Sequence, residues 1–190
     1  MAENEKEKKQ VKGAMLIDYA RMIKSRKDIS WEKYLDDEDF KVINDRILFA
    51  GWYPYKTFRN CGRAVFIEIA GRDLNVVRQF GKITMKNLSE GIYSFLTENV
   101  DIFGSFQKLS DINRRFIQFT WLEHEKISDK SIRVTVVNAP DEDTLEPFCH
   151  QLVGHYDYLI ELYGGSNVQV TWEKKLWKGD DSVIFVLVWD

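Results

Sequence analysis

Residues 145–165 read LEPFCHQLVGHYDYLIELYGG, and this stretch decides the fold. Leu145, Phe148, Cys149, Leu152, Val153, Tyr156, Leu159, Ile160 and Tyr163 keep the i, i+3, i+4, i+7 spacing through five turns, which lays an apolar stripe along one helix. Gly164-Gly165 ends it with residues that tolerate a left-handed cap. Strands are expected on both sides. Gln118–Ile127 and Ser131–Val137 are joined by the turn Ser128-Asp129-Lys130. Ile132, Val134 and Val136 alternate with Arg133 and Thr135, the pattern of a sheet with one covered face. Beyond the helix, Val168, Val170 and Trp172 alternate, Lys178-Gly179-Asp180-Asp181 turns the chain, and Val183–Trp189 is a dense β run. The order β-β-α-β-β predicts a four-stranded antiparallel sheet covered by the long amphipathic helix.

The first half reads as helices. Val11, Met15, Tyr19, Met22 and Ile23 recur at helical spacing, and Lys24–Lys27 puts positive charge on that helix's last turn. A short helix is expected over Glu38–Phe49. Pro54, in Gly51-Trp52-Tyr53-Pro54-Tyr55, suits a helix's first turn and pushes Tyr53 into an extended conformation. Phe58, Val65, Phe66 and Ile69 continue that helix to Gly71, and further helical patterns cover Asp73–Phe80, Thr84–Thr97 and Ile102–Arg114. The expected class is α+β, an N-terminal helical half followed by the sheet. Residues 1–10 are expected to be a flexible charged tail. Residues 11–190 are expected to be a single domain with a helical lobe over about 11–114 and an α/β lobe over about 115–190.

Composition narrows the function. A chain of 190 residues buries enough surface to need no metal or disulfide staple. A net charge of −3 offers no basic field for nucleic acid. No apolar run is long enough for a membrane span, and the Glu/Lys-rich start is no signal peptide, so a cytoplasmic location is expected. Cys61 and Cys149 lie far apart and make neither a disulfide framework nor a zinc motif; buried free thiols are expected.

No enzyme signature is present, so no catalytic residue is assigned. His124-Glu125 lacks the second His of a zinc-protease helix and falls in a strand. His150 and His155, five apart, point to different sides of their helix. Asp36-Asp37-Glu38-Asp39 has neither the spacing nor the Gly of a calcium loop and reads as a solvated helix start. Trp52, Tyr53, Tyr55 and Phe58 cluster beside Arg59 and Arg63 at a helix entry, which suits an apolar pocket with an anion-binding rim. The same rings also make ordinary core, the commoner use of aromatics.

Several motifs together resemble a known superfamily. Val11-Lys12-Gly13 opening the first helix, and Gly81-Lys82-Ile83-Thr84-Met85-Lys86-Asn87-Leu88-Ser89-Glu90, are similar to segments of haem–nitric-oxide/oxygen-binding domains. The ending Gly154…Leu162-Tyr163-Gly164-Gly165…Val168-x-Val170…Lys178-Gly179-Asp180…Trp189 looks more like 4-vinyl-reductase domains. Trp52-Tyr53-Pro54 resembles an uncharacterised bacterial family of similar length. Three departures bear on chemistry. Asn113, in Ser110-Asp111-Ile112-Asn113, stands where the resemblance places the iron-binding His, and Lys175 and Val183 stand where many 4-vinyl-reductase domains have cysteines. The Tyr-x-Ser-x-Arg motif that grips haem propionates is absent before Leu145. Neither haem nor zinc is therefore expected, and the cofactor expectation is none.

The resemblance implies a non-catalytic regulatory or sensor domain that binds a small apolar or amphiphilic ligand, or a protein partner. It places the ligand in a cleft between the helical half and the sheet, walled by Trp52, Tyr55, Phe58, Phe106, Phe116 and Phe148 with Arg59 nearby. An interaction scaffold resembling the Golgi-tethering (TRAPP) subunits is the alternative, and an enzyme with a site not visible in sequence the second. The sequence ends inside a β run at Val188-Trp189-Asp190, so either an output segment lies outside it or, the favoured expectation, the response passes to another chain, as a homodimer or a signalling partner contacting the first-half helices.

Overall fold

The structure is a computed structural model that describes residues 9–91, 93–140 and 143–190. Of the charged stretch 1–10, residues 1–8 lie outside the described residues, and Gln10 already belongs to a strand. The chain divides into two units. One runs to Arg72 and takes in Arg115–Phe119; the other holds Asp73–Arg114 and Thr120–Asp190.

In the first unit, Val11 is not the first turn of a helix. Gln10–Lys12 (β1) pairs antiparallel with Trp52–Pro54 (β2), with Val11 opposite Tyr53. The helix begins after it, Gly13–Ser25 (α1), and buries Gly13, Leu16, Ala20 and Ile23. Its first amides would otherwise be unsatisfied. Gly13 N–H donates to Gly51 O and Ala14 N–H to Phe49 O. That capping explains why the second helix, Asp37–Asn44 (α2), stops short of Phe49: Asp45 turns extended, and the following segment supplies those carbonyls. Asp36 and Asp39 form a reciprocal capping box at the start of α2, so the acidic run is a helix start as expected, but Asp39 is buried there and accepts from Asn60 rather than being solvated. Pro54 caps Tyr55–Glu68 (α3), which buries Phe58, Cys61, Ala64 and Val65.

The second unit opens with Leu74–Ser89 (α4), capped by the Asp73 carboxylate on Asn75 N–H. Two helical stretches were expected here; one unbroken helix stands in their place. Gly81 does not interrupt it, because its lack of a side chain serves packing. A Cβ there would lie 1.9 Å from the carbonyl oxygen of Gln151. Next come Ile102–Phe116 (α5), the hairpin of Trp121–Ser128 (β3) and Ser131–Val137 (β4), Leu145–Leu162 (α6), then Gln169–Lys174 (β5) and Val183–Val188 (β6). The strands form one antiparallel sheet in the order β3-β4-β6-β5. The predicted β-β-α-β-β unit and its covering helix are present.

The inner sheet face is apolar and closed: Leu122, Val134, Phe185 and Leu187 are all at most 2% exposed. Leu152, Tyr156, Leu159 and Ile160 of α6 are equally buried, and Tyr156 meets Phe185 with ring centroids 5.9 Å apart. Burial of each such side chain contributes about 1.5–3 kcal/mol. The other sheet face is polar where Arg133 binds both Glu125 (2.6 Å) and Glu173 (2.9 Å) across the strands. No helix among the described residues is long and apolar enough to cross a membrane.

Candidate functional site

The chemistry-bearing groups of the second unit gather where α5, β3 and α6 meet. Phe106 and Ser110 lie on one face of α5, and Asn113, seven residues beyond Phe106, returns to that face. Ser110 Oγ donates to the Leu122 carbonyl (2.5 Å), tying α5 to β3. His124 of β3 and Tyr156 of α6 share a hydrogen bond of 2.6 Å between Nε2 and the phenol oxygen. Phe106 packs against both rings, at 5.3 Å from Tyr156 and 6.2 Å from His124. Burial pushes the His124 imidazole down to about 4, opposed weakly by Asp111, and pushes the Tyr156 phenol up.

The other two imidazoles stand on α6. His150 lies 5.1 Å from the Trp172 ring, which itself packs on Trp177 and Phe185, and burial lowers its pKa. His155 is partly accessible as a residue, yet its Nε2 is buried and has no hydrogen-bond partner, and burial lowers it to about 4. Neither is the plain surface or capping histidine that spacing suggested. Both cysteines are buried free thiols, with Cys61 pushed up to about 12 and Cys149 higher still by burial. Neither is a ready thiolate.

The expected pocket residues fall in both units. In the first, Phe58 is buried between Tyr19 (5.6 Å) and Tyr55 (6.1 Å), and Tyr55 meets Phe119 edge-on at 4.7 Å. Phe116 is buried and meets Phe49 edge-on. Trp52 is 38% exposed and carries the Lys12 ammonium over its face at 3.8 Å. Arg59 is half-buried on α3, its guanidinium 3.3 Å from the Asn60 side-chain oxygen. In the second unit Phe106 is fully buried, Phe148 is half-buried on α6, and Asn113 has a buried Oδ1 without a partner.

Sequence reading missed two things here. One is the pair of acid–base bridges between α4 and α6. Arg78 grips Asp157 through two nitrogens (2.5 and 2.6 Å), and Lys82 meets Glu161 (2.6 Å). These residues line an open groove of about 240 Å³ with Asn75, Gln79 and Val168, in which the charges are matched to one another. The other is the His124–Tyr156 pair, whose members are 32 residues apart. A helical wheel shows that Asp157 and Glu161 share a face, but nothing in sequence names their partners.

No protein-family model matches the sequence, and no curated protein matches it. Solved structures do share the fold. An H-NOX (haem nitric-oxide/oxygen-binding) protein from S. oneidensis in the Fe(II)NO ligation state is 12% identical, with a TM-score of 0.67 over 94% of this chain and 99% of that one. An oxygen-binding H-NOX domain related to soluble guanylate cyclases, in its oxygen complex, is 12% identical, with a TM-score of 0.61 over 94% and 95%. A structure probing haem distortion in the H-NOX family is 13% identical, with a TM-score of 0.61 over 94% and 95%. The chain has the H-NOX fold.

That finding corrects the expectation of no cofactor. The expectation rested on Asn113 standing in place of an imidazole and on the missing Tyr-x-Ser-x-Arg motif, yet the solved structures that share this fold are those of haem proteins. An α5 without His is no ground for a domain without haem. The fit can be tested on the unpartnered groups of the second unit. Among its described residues, the buried side-chain polar atoms without a hydrogen-bond partner are Asn113 Oδ1, His124 Nδ1, His155 Nε2 and Trp177 Nε1. Two of the four are imidazole nitrogens, the donor that haem iron takes from most proteins. The donor chemistry, imidazole nitrogen, suits the group and comes from elements other than α5, with each of these atoms closed off from solvent.

Proposed function

We propose that this chain is a non-catalytic sensor domain of the haem class, which binds a small molecule and reports its presence to a partner. The observation that carries the reading is the fold, shared over 94% of the chain with structures described by their iron and oxygen ligation states. Bound haem supplies an iron that takes a diatomic gas. The protein's part is to hold and orient it, exclude water and respond in shape. Within the second unit, Phe106 and Phe148 supply apolar side chains, and His124 and His155, each with one ring nitrogen left without a hydrogen bond, are the imidazoles available as donors. Asn113 holds the α5 position that the resemblance gives to a ligating His, where its amide oxygen is a weak donor to iron.

Native mass spectrometry of protein purified from its own host, followed by titration with haem, tests the reading. The expected result is a one-to-one complex with a sharp Soret band that shifts when nitric oxide is added. A chain that neither retains a small molecule nor takes up stoichiometric haem would sink it.

A further inference from the structure

We propose that the first unit carries a docking surface for an anionic lipid membrane, which the domain lies on and does not cross. From Arg46 to Lys56 the residues alternate strictly between exposed and half-buried. The exposed set is Arg46, Leu48, Ala50, Trp52, Pro54 and Lys56, an apolar row with a cation at each end. Leu48 is 55% exposed and Trp52 38%. The row is contiguous because the chain folds tightly here. Gly51 N–H donates to the Leu48 carbonyl (3.0 Å), and β1–β2 pairing sets Lys12 opposite Trp52. The Lys12 ammonium then joins the Ala50 carbonyl (2.8 Å) to the face of the Trp52 ring (3.8 Å).

Single exposed apolar side chains are ordinary, but four in a row with tryptophan among them mark a contact surface. The charge of the unit indicates with what. Met1–Arg72 and Arg115–Phe119 contain sixteen Lys and Arg against twelve Asp and Glu, a net charge of +4. The second unit contains eleven against eighteen, a net charge of −7. The overall −3 therefore conceals a basic unit, an asymmetry that suits an anionic partner. Among the described residues, neither Lys12 nor Arg46 forms an ion pair, whereas Lys56 is held by Asp36 (2.6 Å). Asp45, the acid nearest the row in sequence, accepts the Arg46 backbone N–H (2.7 Å). A nucleic acid would draw on the cations alone and leave the apolar row unused. A lipid surface matches both components. Tryptophan favours the boundary between apolar and wet regions, leucine enters the acyl layer, and Lys and Arg meet anionic headgroups.

The test is sedimentation of the full chain with phosphatidylcholine vesicles, with and without phosphatidylserine, beside light scattering and a gel shift with duplex DNA. Anionic vesicles should bind the chain at least about tenfold more strongly than neutral ones. Salt at about 1 M, where the screening length falls to about 3 Å, should release it. Leu48→Ser and Arg46→Glu should each weaken binding by at least about fivefold with unchanged thermal melting. Ile83→Ser, at an equally exposed position (55%) of the second unit, should bind like the parent. No binding to phosphatidylserine vesicles, or an equal loss in Ile83→Ser, overturns the proposal. So does a preference for DNA, or a dimer that Leu48→Ser dissociates, since either gives the face another occupant. Haem uptake has no bearing on these outcomes, so the sensor reading stands or falls separately.

Discussion

His124 and Tyr156 share a single hydrogen bond that leaves one ring nitrogen of the histidine buried and unpartnered. If Tyr156 donates to Nε2, only the Nδ1 proton is left without a partner. The other tautomer would strand both the phenol proton and the Nδ1 lone pair, so the first is favoured. Neither arrangement accommodates a second proton on the ring, which is why burial holds its pKa near 4 against 6.5 in the unfolded chain. A depressed folded-state value means that stability is complete above about pH 6.5 and is lost as the pH falls toward 4. The full loss from this residue is up to about 3 kcal/mol. Urea melts at pH 7.5 and 4 should therefore show a smaller pH effect in His124→Gln than in the parent. Equal pH effects in the two proteins would refute the assignment.

Gly154 and Gly81 let α6 and α4 approach backbone to backbone, and alanine at either should separate them. Alanine favours a helix over glycine by about 1 kcal/mol. The added Cβ would meet a main-chain carbonyl at 2.0 or 1.9 Å, and backbone cannot rotate aside as a side chain can. Overpacking costs about 1–3 kcal/mol and more where nothing yields. Both variants should melt below the parent, with Gly81→Ala/Gly154→Ala lower than either. A rise in Tm would show that the helices stand further apart than described.

The sheet and α6 were legible because each keeps a strict period, two along β4 and 3.6 along the stripe from Leu145 to Tyr163. The small β1–β2 sheet was not. Three-residue strands carry no period, and Val11 fits a helical stripe as well as a strand. The length of α4 was misread because a glycine is ambiguous in sequence: Gly81 looks like a break until Gln151, 70 positions away, is seen against it. Legibility of the site was poorer still. Aromatic residues announce themselves by type, so the candidate pocket list was drawn from rings. His124, Arg78 and Asp157 matter through partners that only the packing of α4, β3 and α6 supplies.

Arg78 and Asp157 should matter more than Lys82 and Glu161, although the pairs look alike in sequence. The Asp157 side chain is 8% exposed and Arg78 25%, against 47% for Glu161 and 31% for Lys82. Removing one partner of a buried pair strands the other, at about 3–5 kcal/mol where burial is complete; the accessible edge of Arg78 reduces that figure. An exposed pair is worth about 0–1 kcal/mol. Chemical denaturation should find Arg78→Ala at least about 1 kcal/mol less stable than Lys82→Ala. Equal losses would mean that water reaches Asp157 as freely as Glu161.

Asn113→His should strengthen haem binding. Position 113 faces the same side of α5 as Phe106 and Ser110, and its side-chain oxygen is buried without a partner. A neutral imidazole is a far better donor to iron than an amide oxygen. The Asn113 side-chain oxygen has no hydrogen bond to lose, so its replacement sacrifices none there. The variant should bind haem at least about tenfold more tightly than the parent, a difference of about 1.4 kcal/mol. Its ferrous spectrum should gain the signature of a histidine ligand that the parent lacks. If Asn113→His leaves affinity and spectrum unchanged, α5 does not face the iron in this chain, and the resemblance that placed the ligand position there would have to be given up.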